Sequence, residues 1–343
     1  MDVGGCRVSW PSHGPRGRHD WWTYLERGYA DPFRDAVREM PDVVDAPFDE
    51  NGRTMLMYAV SNSLEIVNIL VKAGADVNRR DSYARPVWDF APTWGPSSVE
   101  IWRALIQAGL DVNSRGAKNE TPLMRVCSGY VDPATSRSFL QSRCSIVQLL
   151  LDAGAEVNAV DQYEGSPLQM ASGAGNTEVV KVLLKAGANP NMVDASGRCP
   201  LYEASLHGRA RIVQALLQAG AHVEAATLGS RIRSLPVFTS GLIDVEGVTP
   251  LIAAAEGGHF HAVRLLVDAG ADVSRSDSSG FTPLMGAARA GHPPMVQFLL
   301  ERGAHHDAVD ASGKTAQSHA AEFQHQHEVA PILKRARSKA DPV

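Results

Sequence analysis

The feature that most constrains this chain is a short two-helix unit that recurs along it. Within residues 161–193, Ser166 is followed by Pro167, a pair typical of a helix start, and Gly175 ends that first helix. A second, mostly apolar helix follows and stops at Gly187, where a left-handed C-cap is expected. Because a unit of this size cannot bury its own apolar face, it must stack on copies of itself.

Copies of this unit can be recognised by two anchors. The glycines after the second helix are spaced by 33 residues from Gly154 to Gly187 to Gly220, and again from Gly270 to Gly303. The residues that start the first helices are Thr54, Thr121, Ser166, Cys199, Thr249, Thr282 and Thr315. The glycines that follow the second helices are Gly74, Gly109, Gly154, Gly187, Gly220, Gly270 and Gly303. These anchors predict a stack of helical repeats.

The repeats resemble those of the ankyrin family. The resemblance rests on TPL or SPL steps at 121–123, 166–168, 249–251 and 282–284. It also rests on AGADVN at 73–78, AGAEVN at 153–158, AGANPN at 186–191 and AGADVS at 269–274. The resemblance implies an all-α solenoid of helix–turn–helix units with short β-hairpin tips, in which the tips and first helices line a concave face.

This register divides the chain into a flexible segment (1–19), a degenerate N-terminal capping repeat (20–48), repeats over 49–335 and a basic tail (336–343). The expected repeats are 49–80, 81–115, 116–160, 161–193, 194–226, 244–276, 277–309 and 310–335. Two insertions interrupt them, at 130–141 and 227–243. The second lies where the family places its projecting hairpin, so we expect either one longer finger or a flexible loop.

Composition excludes several classes of function. A net charge of −5 is too mild to favour nucleic acid or an anionic membrane, and no apolar run is long enough to span a bilayer. The N-terminus lacks an apolar signal segment, so we expect a cytoplasmic monomer, with the nucleus as an alternative because residues 334–339 are basic. The four cysteines match neither a zinc pattern nor a disulfide framework, and no metal or cofactor is expected.

The resemblance implies that recognition residues lie on the tips and first helices. With Trp94 added from the long loop of the second repeat, the expected partner-binding residues are Arg53, Asn62, Tyr83, Arg85, Trp94, Lys118, Glu120, Tyr163, Arg198, His207, Glu246, Phe281 and Arg289. Their chemistry is a mixture of aromatic, cationic and anionic side chains, which suits a protein or peptide better than a phosphate backbone. We therefore expect an interaction scaffold or adaptor, with an enzyme as the alternative.

The aromatic residues leave alternatives open. All six tryptophans lie within the first 102 residues, where they either fill an irregular core or, at Trp94 beside Tyr83, anchor a ligand. The alternative function is an enzyme or small-molecule binder with a pocket at Trp88, Asp89, Trp94 and Arg125. The competing interpretation of Asp89 is an ion pair with Arg125 or Arg85. A third possibility is that residues 231–240 insert as a finger into an enzyme that the protein regulates.

The chain departs from the family at one position of the first helix. The family's TPLH step places a His there, and here the position holds Met57, Asp89, Met124, Gln169, Tyr202, Ile252, Met285 and Ser318. We expect apolar packing to replace that polar ladder, and individual repeats to open more easily than in a regular array. The alternative is that this face lines a pocket.

Overall fold

The computed structural model describes residues 18–129, 137–229 and 246–340, and within these ranges the regular structure is helical. Seventeen α-helices are present in the described residues: α1 (Arg18–Arg27), α2 (Ala30–Glu39), α3 (Met55–Asn62), α4 (Leu64–Lys72), α5 (Ser98–Gln107), α6 (Pro122–Cys127), α7 (Arg137–Asp152), α8 (Pro167–Ala174), α9 (Thr177–Lys185), α10 (Pro200–Leu206), α11 (Ala210–Gln218), α12 (Pro250–Glu256), α13 (Phe260–Asp268), α14 (Pro283–Arg289), α15 (Pro293–Glu301), α16 (Ala316–Glu322) and α17 (Gln326–Ala340). Short 3₁₀ helices occupy Pro41–Val43, Val87–Phe90 and Ala117–Asn119. The all-α repeat architecture is confirmed.

The seven residues predicted to start first helices all cap them. In each case the side-chain oxygen, or the Sγ of Cys199, accepts a hydrogen bond from the backbone N–H three residues later. Ser166 Oγ, for example, accepts from Gln169 N at 3.2 Å. Such a cap satisfies one of the N–H groups that the first helical turn leaves unpaired, so the helix start is encoded locally.

The predicted glycines end the second helices. Gly187 has φ +88°, and Ala188 N donates to Leu183 O at 2.9 Å, which is the hydrogen bond of a left-handed C-cap. The other six glycines after second helices have φ between +84° and +94°. A side chain at these positions would be strained, which explains why the spacing of glycine reports the repeat length.

The chain forms two compact units, residues 1–157 (unit 1) and 158–343 (unit 2). In unit 1, α1 packs on α2 and α3, α2 on α4, α4 on α5, and α5 on α7. Its core holds the rings of Trp21, Phe33, Trp88 and Trp102, with Trp21 and Phe33 edge to face at 5.3 Å. Three of the tryptophans therefore fill the irregular core of the first repeats.

Unit 2 is more regular. Its first helices pack in the order α8, α10, α12, α14 and α16, and α9 packs on α11 as α11 does on α13. Small buried residues such as Ala254 and Ala287 allow the first helices to approach closely. Within the described residues, no helix is long and apolar enough to cross a membrane.

An asparagine near the end of four repeats reaches the repeat that follows. Asn78 donates Nδ2 to Gly109 O at 2.9 Å, and its Oδ1 accepts from Asp111 N at 2.8 Å. Asn113, Asn158 and Asn191 make the same two bonds one repeat further on. These bonds link successive repeats by polar contacts within each unit.

At the large insertion this link changes. Glu224 stands in the Asn position, and its Oε1 accepts from Asp272 N at 2.8 Å while Oε2 pairs with Arg275 Nη1 at 2.8 Å. Glu224 and Asp272 are 48 positions apart, with the 227–243 insertion between them, and the longer side chain of Glu224 still joins them. The repeat contact is thus kept across the interruption.

The positions where the family has His are mostly core. Met57, Met124, Ile252 and Met285 are buried, as expected for apolar packing. Gln169 departs from that pattern, because its Nε2 donates to Asp194 Oδ2 of the next repeat at 2.9 Å. Easier opening of individual repeats stays a prediction.

Several predicted boundaries meet the edges of the described ranges. Helix α1 begins at Arg18, inside the segment predicted to be flexible, and α17 continues to Ala340 through most of the predicted tail. Residues 130–136 of the first insertion and 230–245 of the second lie outside the described residues, and α7 already begins at Arg137. The finger at 231–240 lies outside the described residues too.

The hairpin tips remain a prediction. In the described residues the only β-type pairings are isolated bridges, Arg80 with Pro86 and Leu228 with Glu246. The second bridge closes the base of the large insertion, where Gly247 N also donates to Thr227 O at 2.8 Å. The other tips are tight turns held by side chains, and they form the surface described next.

Candidate interaction surface

The tips are built on buried aspartates. Asp81 Oδ1 accepts from Tyr83 N and Arg85 N, both at 2.9 Å, and Asp81 N donates to Arg85 O at 3.0 Å. The same pair of bonds, to the N–H groups two and four residues later, is made by Asp49, Asp81, Asp161, Asp194, Asp277 and Asp310. Each of these six tips is therefore a closed turn of fixed shape.

Three of these carboxylates, those of Asp49, Asp81 and Asp310, have a pKa below its ordinary value. Burial alone would raise the pKa of Asp81, but the N–H and guanidinium of Arg85 and the N–H of Tyr83 together hold it below its usual value. The pKa of Asp310 is likewise lowered against the effect of burial, by Lys314 N and by the ring of His319, whose Nε2 lies 2.8 Å from Oδ2. The tips are thus held by charge-assisted bonds.

Neighbouring tips are joined to each other by backbone hydrogen bonds. Ser82 N donates to Asn51 O at 2.8 Å in unit 1. In unit 2, Ala195 N donates to Tyr163 O at 2.9 Å, and Ala311 N donates to Ser279 O at 2.7 Å. Within each unit the tips therefore present side chains at a regular spacing.

In unit 1, arginines stack on aromatic rings at the tips. The guanidinium of Arg85 bonds to Asp81 Oδ2 through Nε at 2.8 Å and lies 5.3 Å from the Tyr83 ring and 5.0 Å from the Phe90 ring. Arg53 lies over the other side of the cluster, 5.3 Å from Phe90. Since Arg53 and Arg85 both have carboxylate partners in their own tips, their first role is structural.

Three large rings in the described part of unit 1 face solvent: Tyr29, which is 46% exposed, and two rings of the second repeat. Tyr83 is 68% exposed and Trp94 is 57% exposed. Trp88, six residues before Trp94, is buried and donates Nε1 to Ser114 Oγ at 2.9 Å. The two interpretations of the N-terminal aromatic residues thus apply to different residues. Trp21, Trp88 and Trp102 are core, whereas Tyr83 and Trp94 are exposed.

Asp89 forms the ion pair that competes with the catalytic interpretation. Its Oδ1 lies 3.7 Å from Arg125 Nε. Trp88 is buried beside it and contributes no surface to a site. Arg125 is therefore a structural partner of Asp89, whereas the alternative function requires Asp89 as an acid or base.

Three other predicted residues of unit 1 lie near the tips. Lys118 is exposed, in a turn with φ +55°, and Glu120 nearby is half-buried. Asn62 is exposed at the end of α3, where its Nδ2 donates to Tyr58 O at 3.0 Å.

In unit 2 most predicted residues reach the surface. Glu246 and His207 are exposed, and Tyr163 and Arg198 are half-buried. Arg198 closes its tip by pairing with Asp194 Oδ2, as Arg85 does in unit 1.

Phe281 differs from the expectation, because it is only 6% exposed. Its ring packs edge to face on His319 at 5.2 Å and lies 5.0 Å from the guanidinium of Arg289. Arg289 pairs with Glu256 and also lies 5.6 Å from the ring of Phe323, which is half-exposed. Phe323 is the exposed ring of this region. Its position directly after α16 is the sequence signal that could have indicated its exposure.

One half-buried carboxylate, Glu203, was missed by sequence reasoning. It lies on α10, with Oε1 3.4 Å from Arg198 Nη1 and Oε2 3.7 Å from His207 Nε2. Burial raises the pKa of Glu203, Asp194 adds to that effect, and Arg198 opposes it. Burial, Arg209 and His259 lower the pKa of His207.

A family model for ankyrin repeats matches residues 32–81, 137–227 and 233–310, in three copies. These segments cover more than half of the chain. The chain belongs to the ankyrin-repeat family. No curated protein matches it.

The unmatched interval between the first two ankyrin segments, 82–136, coincides with the structural departure in unit 1. There the first helix of a repeat is replaced by a single 3₁₀ turn, Val87–Phe90, and a loop that leads to α5. Tyr83 and Trp94 flank that turn. Ankyrin repeats are generally protein–protein interaction modules, and the exposed rings lie where this chain least resembles a regular ankyrin array.

Proposed function

We propose that this ankyrin-repeat protein is an interaction scaffold or adaptor that binds a protein or peptide through its tips and first helices. The observation that carries the proposal is the exposure of Tyr83 and Trp94 in the irregular second repeat, beside tryptophans that are buried. Trp and Tyr are enriched among the residues that dominate binding energy, and a row of fixed tips provides a preorganised surface around them.

The other predicted contact residues of unit 1 would supply the polar rim of this surface. Those of unit 2, with Phe323 in place of Phe281, would form a contact surface of their own. Their mixed charge favours a polypeptide partner over nucleic acid. Cys127 and Cys199 are free and buried, which supports a reducing compartment such as the cytoplasm or nucleus. The ion pair of Asp89 with Arg125 favours this function over a catalytic pocket.

The proposal is tested by affinity capture with the full chain, followed by calorimetry on the captured partner. The double variant Tyr83→Ala/Trp94→Ala should bind about tenfold more weakly or worse, because both side chains project from the fold. Arg85→Ala is unsuitable for this test, since Arg85 closes its own tip.

The matched control is Glu178→Ala/Lys181→Ala on α9, where two exposed side chains pair only with each other at 2.9 Å in the described contacts. This control should keep wild-type affinity. Wild-type binding by the aromatic double variant, or loss of binding in the control, would place the interaction elsewhere.

A further inference from the structure

Three histidines of unit 2 occupy the same position in successive repeats. His259, His292 and His325 directly precede the second helices α13, α15 and α17, at intervals of 33 residues. At this position of the fourth repeat, Asn176 Oδ1 accepts from Val179 N at 3.2 Å and caps α9. The side chains of His259 and His292 do not cap their own helices in this way. We call these three residues the histidine row.

The rings of the histidine row lie against the preceding repeat. Gly208, after α10, has φ +65°, and a Cβ on it would collide with the ring of His259. His259 Nε2 also lies 3.0 Å from Leu206 O, at the end of the same helix. The corresponding close approaches one and two repeats further on are those of Gly258 to His292 and of Gly291 to His325. The row therefore links each repeat to the one before it.

A proton on the histidine row meets no carboxylate. The histidine–carboxylate pairs among the described residues are His207–Glu203, His306–Asp307 and His319–Asp310, and none of them includes a member of the row. The row lies instead at the N-termini of second helices, whose partial positive charge disfavours a cation. Protonation of these rings would therefore place charge where the surrounding structure does not balance it.

The groups that act on His259 are mostly cationic. Burial lowers the pKa of its ring, His292 and Arg209 add to this effect, and the bond to Leu206 O opposes it. His207, on the preceding repeat, acts on His259 in the same sense, since each ring disfavours a proton on the other. The other charged or titratable groups on the adjoining elements are Glu203, which pairs with Arg198, Glu256, which pairs with Arg289, and the exposed His261, His327 and Glu328.

The direction of this pKa shift defines the pH range in which the contact weakens. His259 binds its proton less readily in the folded chain than in the unfolded chain, whose ordinary pKa is 6.5. The stability that the neutral ring contributes is therefore complete above that value and is lost as the pH falls through it. The tip carboxylate of Asp81 titrates at lower pH, because its folded pKa lies below 3.8.

We propose that the histidine row is a proton-sensitive contact that loosens the repeats of unit 2 in mild acid. Protonation of the row between about pH 7.5 and 5.5 weakens the contacts of α13 and α15 with the preceding repeats. Unit 1 has no such row, because ten of the twelve histidines lie in unit 2 and the other two are His13 and His19. The inference is independent of any partner.

Hydrogen exchange of the full chain at pH 7.5 and 5.5, corrected for the intrinsic exchange rates, tests the proposal. The opening equilibrium of α13 and α15 should shift toward the open form by about tenfold at the lower pH, which corresponds to one unit of pKa depression at a single histidine. The helices α3 and α4 of unit 1 serve as the internal reference and should open equally at both pH values.

The double variant His259→Asn/His292→Asn removes the titrating rings. Asparagine is the residue that this chain already uses before α9, where it caps the helix. The opening of α13 and α15 in this variant should be the same at both pH values. The matched control is His305→Asn, which removes an exposed histidine outside the row and should keep the wild-type pH dependence.

A second measurement needs no variant. The ring proton NMR signals of the wild type, followed between pH 8 and 5, should show His259 titrating below pH 6.5. The proposal is overturned if α13 and α15 open equally at both pH values in the wild type, if the double variant keeps the wild-type shift, or if His259 titrates at or above pH 6.5. Because no partner enters these experiments, none of these outcomes bears on the proposed function.

Discussion

At the scale of single residues, the tips depend on the carboxylates that close them. The side chain of Asp81 has no exposed surface, yet it accepts two backbone N–H bonds and pairs with Arg85 at 2.7 Å. Removing a partner from such an arrangement leaves the other groups unsatisfied, which costs more than the bond itself contributes. The carboxylate is therefore part of the framework that positions Tyr83.

Replacing this carboxylate tests its contribution to stability. Asp81→Asn should lower the free energy of unfolding by roughly 1–3 kcal/mol, because the amide keeps an acceptor but loses the charge opposite Arg85. Chemical denaturation measures this change. The control is Asp31→Asn, whose side chain is highly exposed and pairs with Arg34 within one helical turn, and its effect should stay within about 0.5 kcal/mol. Equal losses in the two variants would mean that the tip is not held by charge.

The same carboxylates predict acid sensitivity. The pKa values of Asp49, Asp81 and Asp310 are below the ordinary value of 3.8 in the folded chain. Groups with a depressed folded pKa contribute stability that is complete above the unfolded pKa and is lost as pH falls. The free energy of unfolding should therefore decline below about pH 4–5, and less steeply in Asp81→Asn than in the wild type. If the free energy of unfolding of Asp81→Asn and of the wild type fell in parallel with pH, Asp81 would not contribute to the acid sensitivity.

At the scale of elements, the second repeat replaces a first helix by a 3₁₀ turn and still packs. Trp88 supplies the missing bulk, and Gly116 makes room for it, since a Cβ there would lie 2.6 Å from the indole ring. The ring donates its N–H to Ser114, so its polar atom is satisfied in the core. This element is irregular in backbone but well packed.

The two neighbouring tryptophans should respond differently to truncation. Trp88→Ala should cost about 3–5 kcal/mol, because it empties a buried site, whereas Trp94→Ala should cost about 1 kcal/mol or less. Thermal or chemical unfolding of each variant gives the comparison. A large loss for Trp94→Ala would show that this ring supports the fold, and it would weaken the case that the ring serves a partner.

The elements also show why sequence reasoning reached the repeats but not the whole site. Capping residues such as Ser166 and C-cap glycines such as Gly187 act within a few residues, so the sequence predicts the helix ends. Burial of Phe281 depends on His319 in the following repeat, 38 positions later, which no local pattern reports. By contrast, the ion pair of Asp89 with Arg125 was among the interpretations that the sequence offered, and the structure selects it over Arg85.

Glu203 escaped prediction for a related reason. Its position on α10 resembles an ordinary helix position, and the sequence does not show that Glu203 lies against Gly173 of the neighbouring helix. A spacing rule within one repeat cannot indicate such a contact between two repeats. It becomes known only when the facing side chains of adjacent helices are known.

At the scale of the whole molecule, we assign partner binding to the tips and first helices, and the packing of each unit to the second helices. The second helices bury apolar residues such as Val180 and Leu183 and hold each unit together. The tips are joined by backbone bonds and closed by aspartates, and in unit 1 the rings of Tyr83 and Trp94 are exposed beside them. Binding should therefore be confined to the first set of elements.

Hydrogen exchange of the full chain, with and without its captured partner, tests this claim most directly. The account predicts slower exchange on binding at the tip Asp81–Arg85, at the turn Val87–Phe90, and at the start of α10 near Glu203. The second helices α9 and α11 should exchange as they do in the free protein. Protection confined to α9 and α11, with the tips unchanged, would contradict the central claim.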